Sequence, residues 1–232
     1  IIQRDCMMDM SQLPPLDQTN IGSHVPRRDN PKVAKLAGKL LAMSGWQIVG
    51  TVPNVKKTVM LAVPHTSNMD GWNAILAILK LGIDIKLMGK KELFQVPVMG
   101  RFLKWAGLIA IDRQKKGSTL QATIERFNQE EQLWLGLAPE GTREYTQAWK
   151  TGFYHMAVGA GVPILPIAMD YKTRQIRFMP LFYPTGDIDA DLPKIYAYYR
   201  GVEGKHFANM SKPLQDLFSS SAATCATDSQ NT

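Results

Sequence analysis

Short apolar runs alternate with segments of helical periodicity between about residues 46 and 183, and this alternation restricts the chain to few folds. The predicted strands are residues 46–52, 58–63, 83–88, 108–111, 133–137, 163–168 and 174–182. The predicted helices are residues 31–44, 70–81, 92–105, 118–131, 151–160 and 187–202. Because strands that alternate with helices are typical of crossover connections, the pattern predicts a single α/β domain. We expect a sandwich around a largely parallel sheet, with helices on both faces.

The two ends of the chain lack this alternation. Residues 1–29 hold scattered methionines, prolines and polar residues, and residues 219–232 are rich in Ser, Thr and Ala. We therefore predict a poorly ordered segment over residues 1–29, a folded domain over 30–215 and a disordered tail over 216–232. The two cysteines fall in these ends and the four histidines are scattered, so we expect neither a disulfide framework nor a metal site.

The apolar runs are too short for a transmembrane helix. A longer stretch without charge, around residues 156–169, is broken by glycines and prolines. A membrane-spanning helix needs about 18 or more consecutive apolar residues. We therefore predict no transmembrane span and expect a soluble or peripheral protein.

A histidine and an aspartate follow the second predicted strand, with four residues between them. In one helix, His65 and Asp70 would lie about 140° apart and would not share a face. They can meet if His65 lies in a loop and Asp70 in the first helical turn, and Thr66, Ser67 and Asn68 are all good N-cap residues. An aspartate that holds one ring nitrogen lets the other accept a proton from a hydroxyl. The alternative is that Asp70 only caps a helix and His65 is an ordinary turn residue.

Three later segments follow this His-x4-Asp block in order. Residues 107–113 read Gly-Leu-Ile-Ala-Ile-Asp-Arg, residues 138–143 read Ala-Pro-Glu-Gly-Thr-Arg, and residues 162–167 read Val-Pro-Ile-Leu-Pro-Ile. The four blocks together, over about residues 46–184, resemble the glycerolipid acyltransferase family, the lysophosphatidate (1-acylglycerol-3-phosphate) acyltransferase-like proteins. Ala138 stands where that family often has phenylalanine, and this departure leaves the identity of the acceptor open.

The resemblance implies a reaction and a role for each matching position. A fatty acyl group would pass from an acyl thioester, acyl-CoA or acyl carrier protein, to the hydroxyl of a lysophospholipid-like acceptor, 1-acylglycerol-3-phosphate first among them. His65 would be the general base and Asp70 its partner, Pro166 would shape the wall near the acyl donor, and no cofactor would be needed. The enzyme would act at the cytoplasmic face of the membrane. The implied acceptor-binding residues are Arg113, Glu140, Gly141, Thr142 and Arg143.

Physical chemistry independently favours most of these roles. The planar guanidinium groups of Arg113 and Arg143 suit bidentate contact with a phosphate, and Gly141 allows the backbone to approach a ligand closely. The carboxylate of Glu140 would repel a phosphate unless it pairs with an arginine or accepts a substrate hydroxyl. The alternative for each charged residue is a solvated surface ion pair, worth about 0–1 kcal/mol.

Two features of the segment after His65 bear on the mechanism. Ser67 raises the possibility of a serine nucleophile, but no Gly-x-Ser-x-Gly elbow surrounds it, and we interpret it as a capping residue. A tetrahedral intermediate would need donors for its oxyanion. Backbone N–H groups at the start of the helix after His65 are candidates for that role.

Most of the net charge of +7 lies in one segment, because residues 80–116 hold nine Lys or Arg and three Asp or Glu. Within it, residues 90–105 intersperse basic residues with apolar ones such as Phe94 and Phe102. An amphipathic basic stretch of this kind suits the surface of an anionic bilayer, and we predict that it contacts one.

The helix over residues 31–44 is a second amphipathic segment. We expect its apolar side to face the core and its lysines to face water. The apolar side of this helix consists of Val33, Leu36, Leu40 and Met43.

Two other classes of function compete with an acyltransferase. The isoelectric point of about 9.4 suggests nucleic-acid binding, but the basic excess is confined to one segment and no recognised RNA- or DNA-binding signature accompanies it. We therefore predict no nucleic-acid partner. The alternative that stays open is a non-catalytic peripheral lipid-binding protein of the same fold. Such a protein has no physical need for the His65–Asp70 pair.

Overall fold

Seven strands form one sheet at the centre of the computed structural model, which describes residues 13–90, 95, 97–111 and 116–219. The strands are β1 (Gln47–Gly50), β2 (Lys57–Val63), β3 (Ile85–Lys90), β4 (Leu108–Ile111), β5 (Leu133–Leu137), β6 (Ile164–Asp170) and β7 (Gln175–Phe178). Their order in the sheet is β1-β7-β6-β2-β5-β3-β4. Every neighbouring pair is parallel except β6 and β7, which are antiparallel. The predicted largely parallel α/β sheet is confirmed.

Helices cover both faces of this sheet. They are α1 (Pro31–Met43), α2 (Asn68–Leu81), α3 (Pro97–Trp105), α4 (Lys116–Gln129), α5 (Gly152–Ala160), α6 (Ile188–Ala197) and α7 (212–219). Successive side chains of a strand point to opposite faces, and in β2 Met60 belongs to one apolar cluster while Leu61 belongs to another. The first cluster takes residues from α1, α2 and α3, and the second from α4, α5 and α6.

Three strands match the sequence prediction most closely. Strands β4 and β5 have the predicted bounds, and β2 begins one residue early. Strands β1 and β2 follow one another in the chain, yet β7 and β6 lie between them in the sheet. Of the predicted helix over residues 92–105, the structure describes α3. Phe94 lies outside the described residues, so the predicted membrane contact of that segment stays a prediction.

The structure describes parts of both predicted end segments. Residues 13–29 have little regular structure, but Leu16 and Val25 are buried, and the Leu16 N–H donates to the Ile48 carbonyl of β1 at 2.8 Å. Isolated apolar side chains can be buried without any periodicity, so this packing left no signal in the sequence. At the other end, α7 continues past the predicted domain limit at residue 215. The remaining parts of both predicted tails lie outside the described residues.

The predicted orientation of α1 is wrong for its larger apolar residues, although its lysines are exposed as predicted. The residues that α1 buries are Ala34, Ala37 and Leu41, whereas Leu36 and Met43 are 58% and 84% exposed. A Cβ atom at Gly38 would lie 3.6 Å from the Lys80 side chain of α2, an ordinary contact distance. The buried side of α1 therefore combines two alanines with one leucine, and the larger apolar side chains of Leu36 and Met43 remain on the outside.

Among the residues that the structure describes, none of the helices combines the length and the apolar character needed to cross a membrane.

Candidate active site

The candidate site lies at the carboxyl ends of three neighbouring strands. His65 follows β2, Glu140 follows β5 and Tyr171 follows β6, and β2 lies between the other two in the sheet. Because these strands are parallel, the segments that leave them emerge at one edge of the sheet, a common place for sites in α/β folds. Sheet order therefore brings together residues that are about 75 to 106 positions apart in the chain.

His65 and Asp70 meet as the loop-and-helix arrangement predicts. His65 lies in the loop after β2, and Asp70 lies in the first turn of α2, whose N-cap is Ser67. The Nδ1 atom of His65 is 3.3 Å from Oδ2 of Asp70, with 29% of the histidine side chain exposed and 1% of the aspartate. The histidine is therefore reachable from solvent, and its partner is not.

The carboxylate of Asp70 accepts hydrogen bonds from several donors. Its Oδ2 atom accepts from the N–H groups of Thr66 and Ser67 at 2.6 and 2.7 Å. Its Oδ1 atom accepts from the Ser67 hydroxyl at 3.0 Å and from the Tyr171 hydroxyl at 2.5 Å. Burial acts to raise the pKa of Asp70, but hydrogen bonds from His65, Tyr171 and Ser67 outweigh it and the pKa is lowered. Asp70 is therefore a carboxylate at neutral pH.

These bonds bear on the oxyanion donors that the sequence suggests among the backbone N–H groups at the start of α2. The N–H groups of Thr66 and Ser67 already donate to Asp70, and the N–H of Met69 donates to the Ser67 hydroxyl at 3.1 Å. They are engaged within the loop and are not directed at an oxyanion. The capping role predicted for Ser67 is confirmed.

Glu140 is buried against the backbone of His65. Its side chain is 3% exposed, and its two oxygens lie 3.1 and 3.2 Å from the His65 N–H, which donates to them. Burial raises the pKa of Glu140 to about 8, opposed by the His65 N–H and increased by the charge of Asp70. Glu140 is therefore mostly a neutral acid at pH 7. These surroundings favour support of His65 over the predicted contact with an acceptor.

The rest of the Glu-Gly-Thr-Arg segment forms a turn near the surface. Gly141 has a φ of +66°, and a Cβ atom there would lie 2.6 Å from Nζ of Lys150. Thr142 is partly exposed and Arg143 is exposed. Lys150 is held over this turn because its N–H donates to the Pro139 carbonyl at 2.8 Å. No pattern in the sequence indicates this cation. Lys150 lies beside the turn only because the chain folds back at residue 150 onto the segment that follows β5.

The other predicted site residues fall elsewhere. Arg113 lies outside the described residues. Pro166 is buried inside β6, opposite Leu61 of β2, and thus several residues before the strand end where Tyr171 emerges. Across the parts of the chain that the structure describes, no group of three or more His, Cys, Asp or Glu side chains could hold a metal ion.

Comparison with known proteins gives related sequences and one related fold. A family model described as Acyltransferase matches residues 47–170, just over half of the chain. The chain is 28% identical over 141 residues to the 1-acyl-sn-glycerol-3-phosphate acyltransferase of Haemophilus influenzae, covering 58% of each protein. It is 35% identical over 121 residues to an uncharacterised acyltransferase of Schizosaccharomyces pombe, covering 49% of this chain and 42% of that protein. The chain thus spans about half the length of these curated relatives.

A solved structure shows the same fold. The crystal structure of the 1-acyl-sn-glycerophosphate (LPA) acyltransferase PlsC from Thermotoga maritima matches with a TM-score of 0.54 and 17% sequence identity. The match covers 83% of this chain and 79% of that one.

Proposed function

Because the chain belongs to the Acyltransferase family, we propose that it transfers a fatty acyl group from an acyl thioester to the hydroxyl of a lysophospholipid-like acceptor. The acceptor that we favour is 1-acylglycerol-3-phosphate, for which the H. influenzae relative is named. The observation that carries the proposal is the contact between a partly exposed histidine and a buried, ionised aspartate, His65 and Asp70.

The arrangement suits general-base catalysis. Asp70 holds the Nδ1–H of His65, so the lone pair of Nε2 is available to the acceptor hydroxyl. As the hydroxyl oxygen attacks the thioester carbonyl, its proton passes to Nε2 and a new C–O bond forms. The C–S bond then breaks, and the thiolate of coenzyme A or acyl carrier protein takes the proton from the imidazolium. Asp70 stabilises that imidazolium while it exists.

The acceptor phosphate would bind at the turn after β5. Arg143 and Lys150 supply exposed positive charge there, and Gly141 and Thr142 belong to the same turn. Arg113 is proposed to complete this set on the strength of the sequence blocks. Glu140 is neutral at pH 7 and would hold the His65 backbone rather than repel the phosphate.

The proposed acceptor is a membrane lipid, so the enzyme must reach a bilayer surface at the cytoplasmic membrane face. Helix α1 supports such contact, because it exposes Leu36, Leu40 and Met43 together with three lysines. An interfacial helix combines apolar and basic residues in this way. Replacing Leu36 and Met43 by aspartate should weaken sedimentation with anionic liposomes. Unchanged binding would argue against α1 and would favour residues 90–105 as the segment that contacts the bilayer.

The function is tested by thiol release from the purified protein. Acyl-CoA and acyl carrier protein donors would each be offered against a panel of lysolipid acceptors. We expect acceptor-dependent release that falls by about 100-fold or more in His65→Ala, the scale of a lost general base. Circular dichroism would establish that the variant is folded. No release with any pair, from folded protein that binds liposomes, would instead support the non-catalytic lipid-binding alternative.

A further inference from the structure

Tyr171 connects the candidate base to a distant part of the chain. It follows directly after β6, and its hydroxyl donates to Oδ1 of Asp70 at 2.5 Å. The other oxygen of the same carboxylate faces Nδ1 of His65. The remaining described donors to Asp70 come from residues 66 and 67, whereas Tyr171 comes from a separate strand end. Tyr171 therefore contacts the His65–Asp70 pair from outside its own loop.

The position of Tyr171 is fixed by its neighbours on three sides. Its N–H donates to the Glu203 carbonyl at 2.9 Å, and its ring meets Trp46 edge to face at a centroid distance of 4.7 Å. The preceding residue, Asp170, is buried and ties the turn together. Asp170 accepts hydrogen bonds from Lys172, Thr173, Arg177 and Glu203. Such a network leaves the hydroxyl of Tyr171 little freedom to point elsewhere.

The hydroxyl stays a donor throughout the working pH range. Burial, and then the hydrogen bond to Asp70, raise the pKa of Tyr171 above its usual value. A neutral donor that faces a carboxylate stabilises its negative charge. The charge of Asp70 is therefore shared between Tyr171 and the partners in its own loop, His65 among them.

We propose that Tyr171 is a positioning residue that orients Asp70 and limits the attraction between its carboxylate and the His65 imidazole, because it donates to the same carboxylate. The inference rests on the proposed role of His65 as general base. An unshared carboxylate would stabilise the imidazolium more strongly and so keep more of the histidine protonated near neutral pH. The other titratable group at this pair is Glu140, which faces the His65 backbone from the β5 side. Two more titratable residues approach β2 and its loop from the C-terminal region. The Tyr199 hydroxyl donates to the Leu61 carbonyl, and the backbone N–H of His206 donates to the Thr66 hydroxyl.

The test is Tyr171→Phe, which removes the hydroxyl and keeps the ring against Trp46. NMR titration would follow the imidazole of His65, assigned by comparison with His65→Ala, beside the pH profile of kcat. We expect the His65 titration and the acid limb of kcat to move up by about 0.5–1 pH unit. The loss of kcat should be about three- to tenfold at pH 6.5 and should shrink towards pH 9. KM for both substrates should stay within about twofold.

A matched control separates this effect from simple loss of a buried hydroxyl. Tyr154 donates to another buried aspartate, Asp191, at 2.8 Å, between α5 and α6. Tyr154→Phe should lower Tm and leave the His65 titration unchanged. If Tyr171→Phe likewise lowers Tm without moving the titration or the pH profile, Tyr171 is only structural and the inference is overturned.

Two further outcomes are distinguishable. If wild-type protein transfers no acyl group, the proposed function fails, yet the NMR titration still tests the link between Tyr171 and His65. If Tyr171→Phe does not fold, 3,5-difluorotyrosine at position 171 keeps the shape and strengthens the donor. In that protein the His65 titration should move down, and an upward or absent shift would contradict the inference.

Discussion

Asp70 and Glu140 are two buried carboxyl groups beside the same histidine, and their pKa values are shifted in opposite directions. The first accepts hydrogen bonds from two backbone N–H groups and two hydroxyls, and its pKa is lowered. The second shares one backbone N–H between its two oxygens, and its pKa rises to about 8. Both side chains are almost inaccessible to solvent, but Asp70 has more donors and a histidine partner, and its charge further raises the pKa of Glu140.

Under the proposed function, this difference would assign a separate task to each carboxyl group. A charged group is needed where an imidazolium must be stabilised, and Asp70 lies there. A neutral group is needed near a bound phosphate, because a second carboxylate would repel both the phosphate and Asp70. Glu140 meets that need while it accepts from the His65 backbone.

The largest expected effect comes from removing the charge of Asp70. In Asp70→Asn the amide keeps the shape but cannot stabilise the imidazolium, so kcat should fall by about 10²- to 10⁴-fold. A fall in kcat of less than about threefold would contradict the role of the Asp70 charge, because remote substitutions cause effects of that size. Asp191→Asn is the matched control, since Asp191 is also buried and has a lowered pKa. It should destabilise the protein and leave kcat nearly unchanged.

The next effect concerns the fall in stability as pH rises from about 4.5 to about 8. Glu140 has a folded pKa of about 8 against 4.5 in the unfolded chain. Between these values the folded state holds a proton that the unfolded state has lost, so the free energy of unfolding falls as pH rises. The loss should amount to a few kcal/mol, on the order of 1.4 kcal/mol per pKa unit.

Glu140→Gln should remove this dependence, so that denaturant midpoints at pH 6 and pH 9 become similar. Activity at pH 7 should stay within about threefold, because the wild-type side chain is already mostly neutral. Glu131→Gln at an exposed glutamate provides the control and should retain the wild-type slope. A wild-type protein equally stable at both pH values would show that Glu140 is ionised in the fold.

Much of this site was predictable from sequence because its parts are local. The run before His65 and the capping residues after it predict a strand, a turn and a helix, and the structure has all three. The spacing also predicts that His65 and Asp70 meet across that turn. Segments of this kind follow from the propensities of a few consecutive residues.

The parts of the site that could not be predicted depend on which strands are neighbours in the sheet. Tyr171 and Lys150 reach the site only because β6 and β5 flank β2, and no single-sequence pattern fixes that order. The burial of Glu140 also escaped prediction, because a charged residue in a turn is ordinarily exposed. The orientation of α1 was predicted wrongly for a different reason: its buried side combines Ala34 and Ala37 with Leu41, and the two alanines carry little apolar signal in the sequence.

The smallest expected effect comes from removing one of the donors that distinguish Asp70 from Glu140. Ser67→Ala deletes the hydroxyl that donates to Asp70 and accepts from Met69. The N-cap loss should cost about 1 kcal/mol of stability. With the donors from Thr66 and Tyr171 still present, Asp70 should stay ionised at neutral pH.

Activity of Ser67→Ala should therefore remain within about threefold of wild type at pH 7. Loss of activity as large as in His65→Ala would instead make Ser67 the nucleophile. Because the pKa of Asp70 would move back towards its usual value, unfolding on acidification should begin at a higher pH than in wild type. Ser211→Ala removes another buried hydroxyl, the acceptor for Trp149, and should lower Tm without changing that acid midpoint. Equal acid shifts in both serine variants would mean that the Ser67 hydroxyl contributes no specific stabilisation to the charge of Asp70.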